Sequence, residues 1–265
     1  MIPKTIHYCW FGRNPKPKLA KKCIRSWKKH CPDYQIIEWN EDNFDISACP
    51  LYVRQAYEAK KWAFVTDYVR LKVVYDHGGI YLDTDVELRK KPDSLLGNDA
   101  YFGFEDGKYI ATGLGFGAIK GHPVLLEMME DYEGISFIKE DGSYDTLPCP
   151  LRNTHVLLCR GLQQEDKLQT LEDNILILPS AVLNPVSFFD KKKRIDKDTI
   201  SIHWYAASWY TKKDWEQKKK RKREVHKRQM EVYLDWLIHI PNWAIRFVLG
   251  TERYEDFKKR LKKER

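Results

Sequence analysis

The chain has no pair of cysteines spaced C-x-x-C; its six, at positions 9, 23, 31, 49, 149 and 159, are scattered. That excludes a zinc ribbon or a dithiol redox motif and leaves packing cysteines in a reduced protein. No G-x-G-x-x-G follows the first strand-like stretch, which disfavours a dinucleotide enzyme. No apolar run reaches the roughly 18 residues a spanning helix needs. The best stretch, Val232 to Leu249, is interrupted by Asp235, His239, Pro241, Asn242 and Arg246. Met1-Ile2-Pro3-Lys4 is not a charged region leading into an apolar one, so no signal peptide is expected and a cytoplasmic location is. Residues 1–211 also lack net charge, with 28 Lys and Arg against 29 Asp and Glu. The excess of the whole chain, +8, comes from residues 212–265, which hold 18 against 9.

What the chain does have is a globular amount of apolar sequence, 43% over 265 residues, and many aromatics: nine Trp, fifteen Tyr and eleven Phe. Such rings suit sugar and base stacking, and equally a membrane surface. Lys4 to Trp10 alternates like a strand that Phe11-Gly12 ends, Pro17 to His30 reads as a basic helix with a solvated lysine side, and Tyr34 to Trp39 reads as a second strand. This is a Rossmann-like βαβ opening. Leu51 to Lys60 follows as a short helix, and Trp62 to Tyr75 as one buried on most sides.

The long helix carries Asp67 and Arg70, three residues apart and so on one face. Gly78-Gly79 stops it, and Ile80-Tyr81-Leu82 is a short buried strand that delivers Asp83-Thr84-Asp85 to its C-terminal end. Ligands of open α/β sheets bind at that end. Two carboxylates one residue apart repel unless a cation is shared, and hard oxygen ligands without thiolate suit Mg²⁺ or Mn²⁺. Further strands are expected at Tyr101–Phe104, Gly115–Ile119, Ile175–Pro179 and Thr199–Tyr205. Helices are expected from Pro123 to Tyr132, with His122 a structural residue at its start, and from Pro150 to Leu162; residues 134–150 read as a surface loop. Lys191 to Arg194 is a charged loop, either solvated or facing an acceptor.

The run Asp67-Tyr68-Val69-Arg70-Leu71 followed by Gly79-Ile80-Tyr81-Leu82-Asp83-Thr84-Asp85 resembles the DXD core of glycosyltransferase family 32. The resemblance extends to the opening Ile2 to Gly12 and to His203-Trp204-Tyr205-Ala206-Ala207-Ser208-Trp209, about the first 210 residues. It implies a GT-A fold, a Rossmann-like mixed, mostly parallel sheet flanked by helices, as a catalytic domain over residues 1–211. It also implies a retaining hexosyltransferase of bacterial surface polysaccharide synthesis that uses a nucleotide sugar, UDP-linked galactose, glucose or N-acetylhexosamine, with GDP-mannose an alternative. The acceptor would be a glycan or a lipid-linked oligosaccharide.

By the same resemblance, Asp85 holds the metal with Asp83 and with His203, which is either a metal ligand or a phosphate contact; Asp83 also touches ribose and sugar hydroxyls, and Asp67 and Arg70 hold the hexose. Trp10 stacks on the base or, on its residues alone, belongs to the core. Tyr8, Phe11, Tyr81 and Thr84 complete the donor contacts, Thr112-Gly113 and Asn153 line the sugar, and Ser208 and Trp209 close over the diphosphate. Two rival classes remain open: a metal-dependent nucleotide-sugar hydrolase, and a membrane or polyanion adaptor. Residues 212–265 form a basic amphipathic helical extension, with Val225, Val232, Trp236 and Ile240 at helical spacing; it either lies on the anionic inner face of the cell membrane or packs on the catalytic domain. Nucleic acid is not an expected partner.

Overall fold

In the computed structural model, residues 1–105, 107–186 and 195–206 are described. The expectations for Lys191 to Arg194, Ser208, Trp209 and the extension 212–265 fall outside them.

The chain opens β1 (Thr5–Cys9), α1 (Lys18–His30), β2 (Gln35–Trp39), α2 (Leu51–Glu58), α3 (Trp62–His77), β3 (Gly79–Tyr81) and β4 (Val86–Leu88). It continues β5 (Ala100–Gly103), β6 (Phe116–Ala118), α4 (Pro123–Glu130), α5 (Cys149–Cys159), β7 (Gln169–Leu171), β8 (Ile175–Leu178), α6 (Ser180–Leu183) and β9 (Ser201–His203). Among the described residues one seven-stranded sheet runs β2-β1-β3-β6-β5-β8-β7, and β4 pairs with β9 in a second, two-stranded sheet. β1 is parallel to β2 and β3, and β5 to β8, while β6 and β7 run against their neighbours. Five strands therefore share one direction, and the expected mixed, mostly parallel sheet flanked by helices is what forms.

Alternation sets the two faces of this sheet, because successive strand side chains point to opposite sides. Tyr81, Phe102, Phe116, Ile175 and Ile177 face a core built with Val65, Val69 and Val73 of α3. Ile6, Tyr8, Ile80, Tyr101 and Leu178 face the other, with Cys23 and Trp27 of α1. Helix α3 packs against α2, α4 and β1, which is why its sequence is apolar nearly all round. It ends at Gly78 and Gly79, whose φ angles of +67° and +118° are left-handed. A side chain at Gly79 would lie 2.7 Å from the Thr5 carbonyl, so only glycine lets β3 pair this closely with β1.

Three local expectations are corrected. Helix α5 begins at Cys149, so residues 149 and 150 are not loop, and Phe137, within the supposed surface loop, is fully buried against Tyr52 and Phe64. Cys159 is exposed rather than packed. Strand β7 and the short α6 were not anticipated. His122 does cap α4, its Nδ1 accepting from Val124 N–H at 3.3 Å. Among the described residues no helix is long and apolar enough to cross a membrane.

Candidate active site

The C-terminal end of β3 is held against β1 by the Leu82 N–H, which donates to the His7 carbonyl at 3.0 Å. The chain then turns, Val86 N–H donating to the Asp83 carbonyl at 2.9 Å, and enters β4. This turn presents Asp83, Thr84 and Asp85 at the strand end where the sequence places them.

Arg70 reaches this turn from α3. Its Nη2 binds Asp67 Oδ1 at 3.0 Å and lies 3.5 Å from Asp83 Oδ1. Its Nε donates to the Thr66 carbonyl at 3.0 Å, its Nη1 reaches Thr112 Oγ1 at 3.4 Å, and its guanidinium carbon sits 5.3 Å from the Tyr81 ring centroid. The planar fork thus joins two carboxylates and a hydroxyl while stacked on an aromatic face. Burial works against its charge, but the fields of Asp83 and Asp67 outweigh burial and keep Arg70 protonated. Burial lifts Asp67 above the usual carboxylate range, against the pull of Arg70. Tyr81 donates its hydroxyl to Asp83 Oδ1 at 2.9 Å, fixing that carboxylate's rotation.

On the other side, β9 returns beside β4 with His203 opposite Val86. That register puts His203 Nε2 3.1 Å from Asp85 Oδ1. The backbone N–H of Ala206 donates to Asp85 Oδ2 at 2.8 Å and that of Trp204 to the Asp85 carbonyl at 3.0 Å. Burial resists ionisation of Asp85, but His203 and the Ala206 N–H overcome it and hold the carboxyl below its ordinary range. Burial raises Asp83 instead, with Arg70 opposing and the Asp85 charge adding.

These groups fit a divalent cation. Carboxylate oxygens of Asp83 and Asp85 and a ring nitrogen of His203 all lie within 4.8 Å of one another, and among the described residues the buried His203 Nδ1 has no hydrogen-bond partner. Two hard oxygens, one imidazole and no thiolate are a donor set for Mg²⁺ or Mn²⁺.

Other predicted residues fall into three places. Thr112 and Gly113 form a tight turn over the carboxylates, where Asn153 Nδ2 of α5 donates to Thr112 Oγ1 at 3.0 Å. A Cβ at Gly113 would lie 2.6 Å from Asp83 Oδ2. Trp10 stands at the end of β1, its Nε1 donating to the Asn14 carbonyl at 2.6 Å, in a cleft shared with Lys16, Glu38 and Asn40. Tyr8 is buried but sends its hydroxyl to Glu38 at that cleft. Phe11 is brought to neither place; it is buried edge-on against Phe44 and Tyr57.

Three residues were missed. Lys16 bonds Glu38 at 2.8 Å with its ammonium 5.6 Å from the Trp10 ring, and Glu38 is legible afterwards as the strand partner of Tyr8. Cys149 Sγ lies 3.8 Å from Arg70 Nη1, and burial drives its thiol well above the usual range, leaving it a neutral wall of the site. No sequence signal separates it from the packing cysteines.

A mixed α/β sheet whose strand end gathers a carboxylate pair, an imidazole and a buried arginine defines a DXD-type site. In agreement, residues 17–102 match the family model of the glycosyltransferase sugar-binding region containing the DXD motif. Inositol phosphoceramide mannosyltransferase 3 of Schizosaccharomyces pombe is 30% identical over 140 residues, 51% of this chain and 38% of that enzyme, so the chain spans well under half of that relative's length. An uncharacterized glycosyltransferase of Acanthamoeba polyphaga mimivirus is 24% identical over 223 residues, 79% of this chain and 84% of that one. Among solved structures, the PaToxG glycosyltransferase aligns with TM-score 0.46 and 19% identity over 60% of this chain and 69% of its own. The chain is thus similar, over part of its length, to DXD-containing glycosyltransferases.

Proposed function

We propose that the chain is a metal-dependent glycosyltransferase that moves a hexose from a nucleoside-diphosphate sugar to a hydroxyl of a glycan or lipid-linked acceptor. The observation that carries this is the position of Asp83, which belongs at once to the Arg70–Tyr81 cluster and to the Asp85–His203 cluster. One cluster is suited to sugar hydroxyls and the other to a cation and diphosphate, and they meet where a glycosyl phosphate bond would lie.

Asp67 and Asp83 accept from sugar hydroxyls, and Arg70 donates to sugar or phosphate oxygens. Tyr81 and Gly113 hold Asp83 in place for this. Trp10 supplies a ring for the base, beside Lys16. Asp85, Asp83 and His203 would hold Mn²⁺ or Mg²⁺, which when bound neutralises charge growing on the leaving phosphate oxygen. The acceptor oxygen bonds to the anomeric carbon as the nucleoside diphosphate departs with the bonding electrons, and the acceptor proton passes to the departing phosphate on the same face. Configuration is retained by this front-face route, as in the family the sequence resembles.

UDP-linked galactose, glucose or N-acetylhexosamine is the donor on the sequence reading, with a role in bacterial surface polysaccharide. The mannosyltransferase names of the fission-yeast relatives favour a second donor, GDP-mannose. The extension 212–265 attaches the enzyme to the inner membrane face. The test is incubation of the purified chain with UDP- and GDP-hexoses and Mn²⁺, following nucleoside diphosphate release with and without glycan acceptors. Acceptor-stimulated release supports transfer. Release that no acceptor changes indicates a hydrolase, and absence of turnover with every nucleotide sugar refutes both.

A further inference from the structure

Helix α1 carries Lys18, Lys21, Lys22, Arg25, Lys28 and Lys29, spaced i, i+3, i+4, i+7, i+10 and i+11. That spacing lays all six on one side of a helix, in a stripe about 16 Å long at 1.5 Å per residue. All six are exposed, while Ala20, Cys23 and Trp27 on the opposite side are buried. The helix contains no Asp or Glu. Only Lys22 has an acidic partner, Glu87 at 2.7 Å; among the described residues the other five cations have none within salt-bridge distance.

Residues 1–211 hold 28 basic against 29 acidic residues, so without α1 the same stretch is 22 against 29. Six of the 28 basic residues of this nearly neutral stretch therefore sit together on one helix face, on a helix without an acid. A solvated helix surface needs no such segregation, and mixed signs at i and i+4 would stabilise it better.

We propose that this face of α1 is a docking surface for an anionic lipid bilayer. Five of the six cations are lysines, which act as point charges on a diffuse negative surface, whereas shape-specific phosphate recognition favours the arginine fork. The helix itself carries no exposed aromatic ring on which an unpaired base would stack, since Trp27 is buried, and the neighbouring Trp204 is half-buried under Lys22 with its Nε1 bonded to Glu87. A plane of negative charge fits it better than a nucleic-acid strand does. The surface is also tied rigidly to the site. Trp27 Nε1 donates to the Val86 carbonyl at 2.7 Å and Leu88 N–H donates to Ser26 Oγ at 2.9 Å, so α1 is fastened to β4, which begins directly after Asp85. A bilayer on this face would fix the height of the carboxylate site above the headgroups. The surface is distinct from residues 212–265 and does not depend on the transferase reading, because its readout is binding.

The test uses the full chain and sedimentation with vesicles of phosphatidylcholine, alone or with about 30% phosphatidylserine, in about 0.1 M salt, where charges interact over about 10 Å. Wild type is expected on the anionic vesicles and not on the neutral ones, and to be released by high salt. The variant Lys18→Gln, Lys21→Gln, Arg25→Gln, Lys28→Gln should partition at least about tenfold more weakly, with each cation near an anionic surface contributing several-fold. The charge-keeping variant Lys18→Arg, Lys21→Arg, Lys28→Arg should bind like wild type. Should the glutamine variant melt earlier than wild type, the pair Lys21→Gln, Arg25→Gln replaces it, with a several-fold loss expected. Wild-type partition in the glutamine variants overturns the proposal, as does equal binding to neutral and anionic vesicles. A stripe-dependent affinity for duplex RNA without vesicle binding overturns it too.

Discussion

His203 Nε2 lies 3.1 Å from Asp85 Oδ1 because the antiparallel pairing of β4 with β9 places His203 opposite Val86. Backbone register, rather than side-chain reach, brings a residue near the end of the described chain to the carboxylate turn. Replacing Asp85 by Asn keeps an oxygen for the Ala206 N–H and leaves the register alone, but removes the charge. In wild type, Mn²⁺ at a hundred times its dissociation constant should stabilise the fold by about 2.7 kcal/mol. In Asp85→Asn that thermal shift should nearly vanish, and donor turnover should fall by about a hundredfold or more. An undiminished Mn²⁺ shift in the variant would show that the ion binds elsewhere.

Arg70 is the buried cation between two part-buried carboxylates, so its removal should act first on stability. Arg70→Leu leaves Asp67 and Asp83 without their counter-ion in a site only partly open to solvent, with Asp83 keeping its Tyr81 bond, a loss of about 1–3 kcal/mol. Urea unfolding measures it. Adding Asp67→Asn should return part of the loss, since one stranded charge is gone and neighbouring substitutions couple. If the double variant is as unstable as the sum of the singles, the two side chains do not act as a pair.

Gly113 is required by what lies over it. An added Cβ would meet Asp83 Oδ2 at 2.6 Å and Arg70 Nη1 at 3.1 Å, and Asp83 is too short and too firmly bonded to Tyr81 to move freely. Gly113→Ala should therefore cost about 1–3 kcal/mol and lower kcat/KM at least about tenfold, through displacement of the carboxylate. Gly97, which has nothing within 4 Å of an added Cβ, is the control; Gly97→Ala should stay within about 0.5 kcal/mol of wild type in both assays.

The carboxylate turn was readable because four charged residues stood in a run too apolar to leave solvated, and α3 and β3 formed where that run put them. Strand β9 was readable from the alternation of Ile200 and Ile202, although only the structure shows its partner to be β4. Cys149 was not readable, since its place beside Arg70 depends on how α5 crosses the sheet end. Phe11 misled for a simpler reason. It follows Trp10 at the strand end, and one residue of offset in an extended chain turns it to the opposite face. Strand β7, Gln169–Leu171, has little apolar pattern because it is an edge strand, half exposed, and takes its definition from pairing with β8.

His7 makes the fold sensitive to acid. The Trp39 indole N–H can only donate, and it donates to His7 Nδ1 at 3.0 Å, so Nδ1 is an acceptor and Nε2–H donates to the Gly78 carbonyl at 2.8 Å. The ring is fully buried, and burial, against the Gly78 bond and aided by His77, brings its pKa down to about 4 from 6.5. Between those values the unfolded chain holds the proton and the folded chain does not. Stability from this residue is therefore complete above pH 6.5, falls as the pH drops toward 4, and changes no further below that. The whole excursion is about 3 kcal/mol. Urea unfolding of wild type and His7→Gln from pH 7.5 to 4 isolates it, because glutamine can donate to Gly78, accept from Trp39 and take no proton. The difference in unfolding free energy between the two should shift in favour of the variant by about that amount as the pH falls. Parallel pH profiles would mean that folding leaves the His7 pKa where it is in the unfolded chain and that burial does not disfavour its charged form.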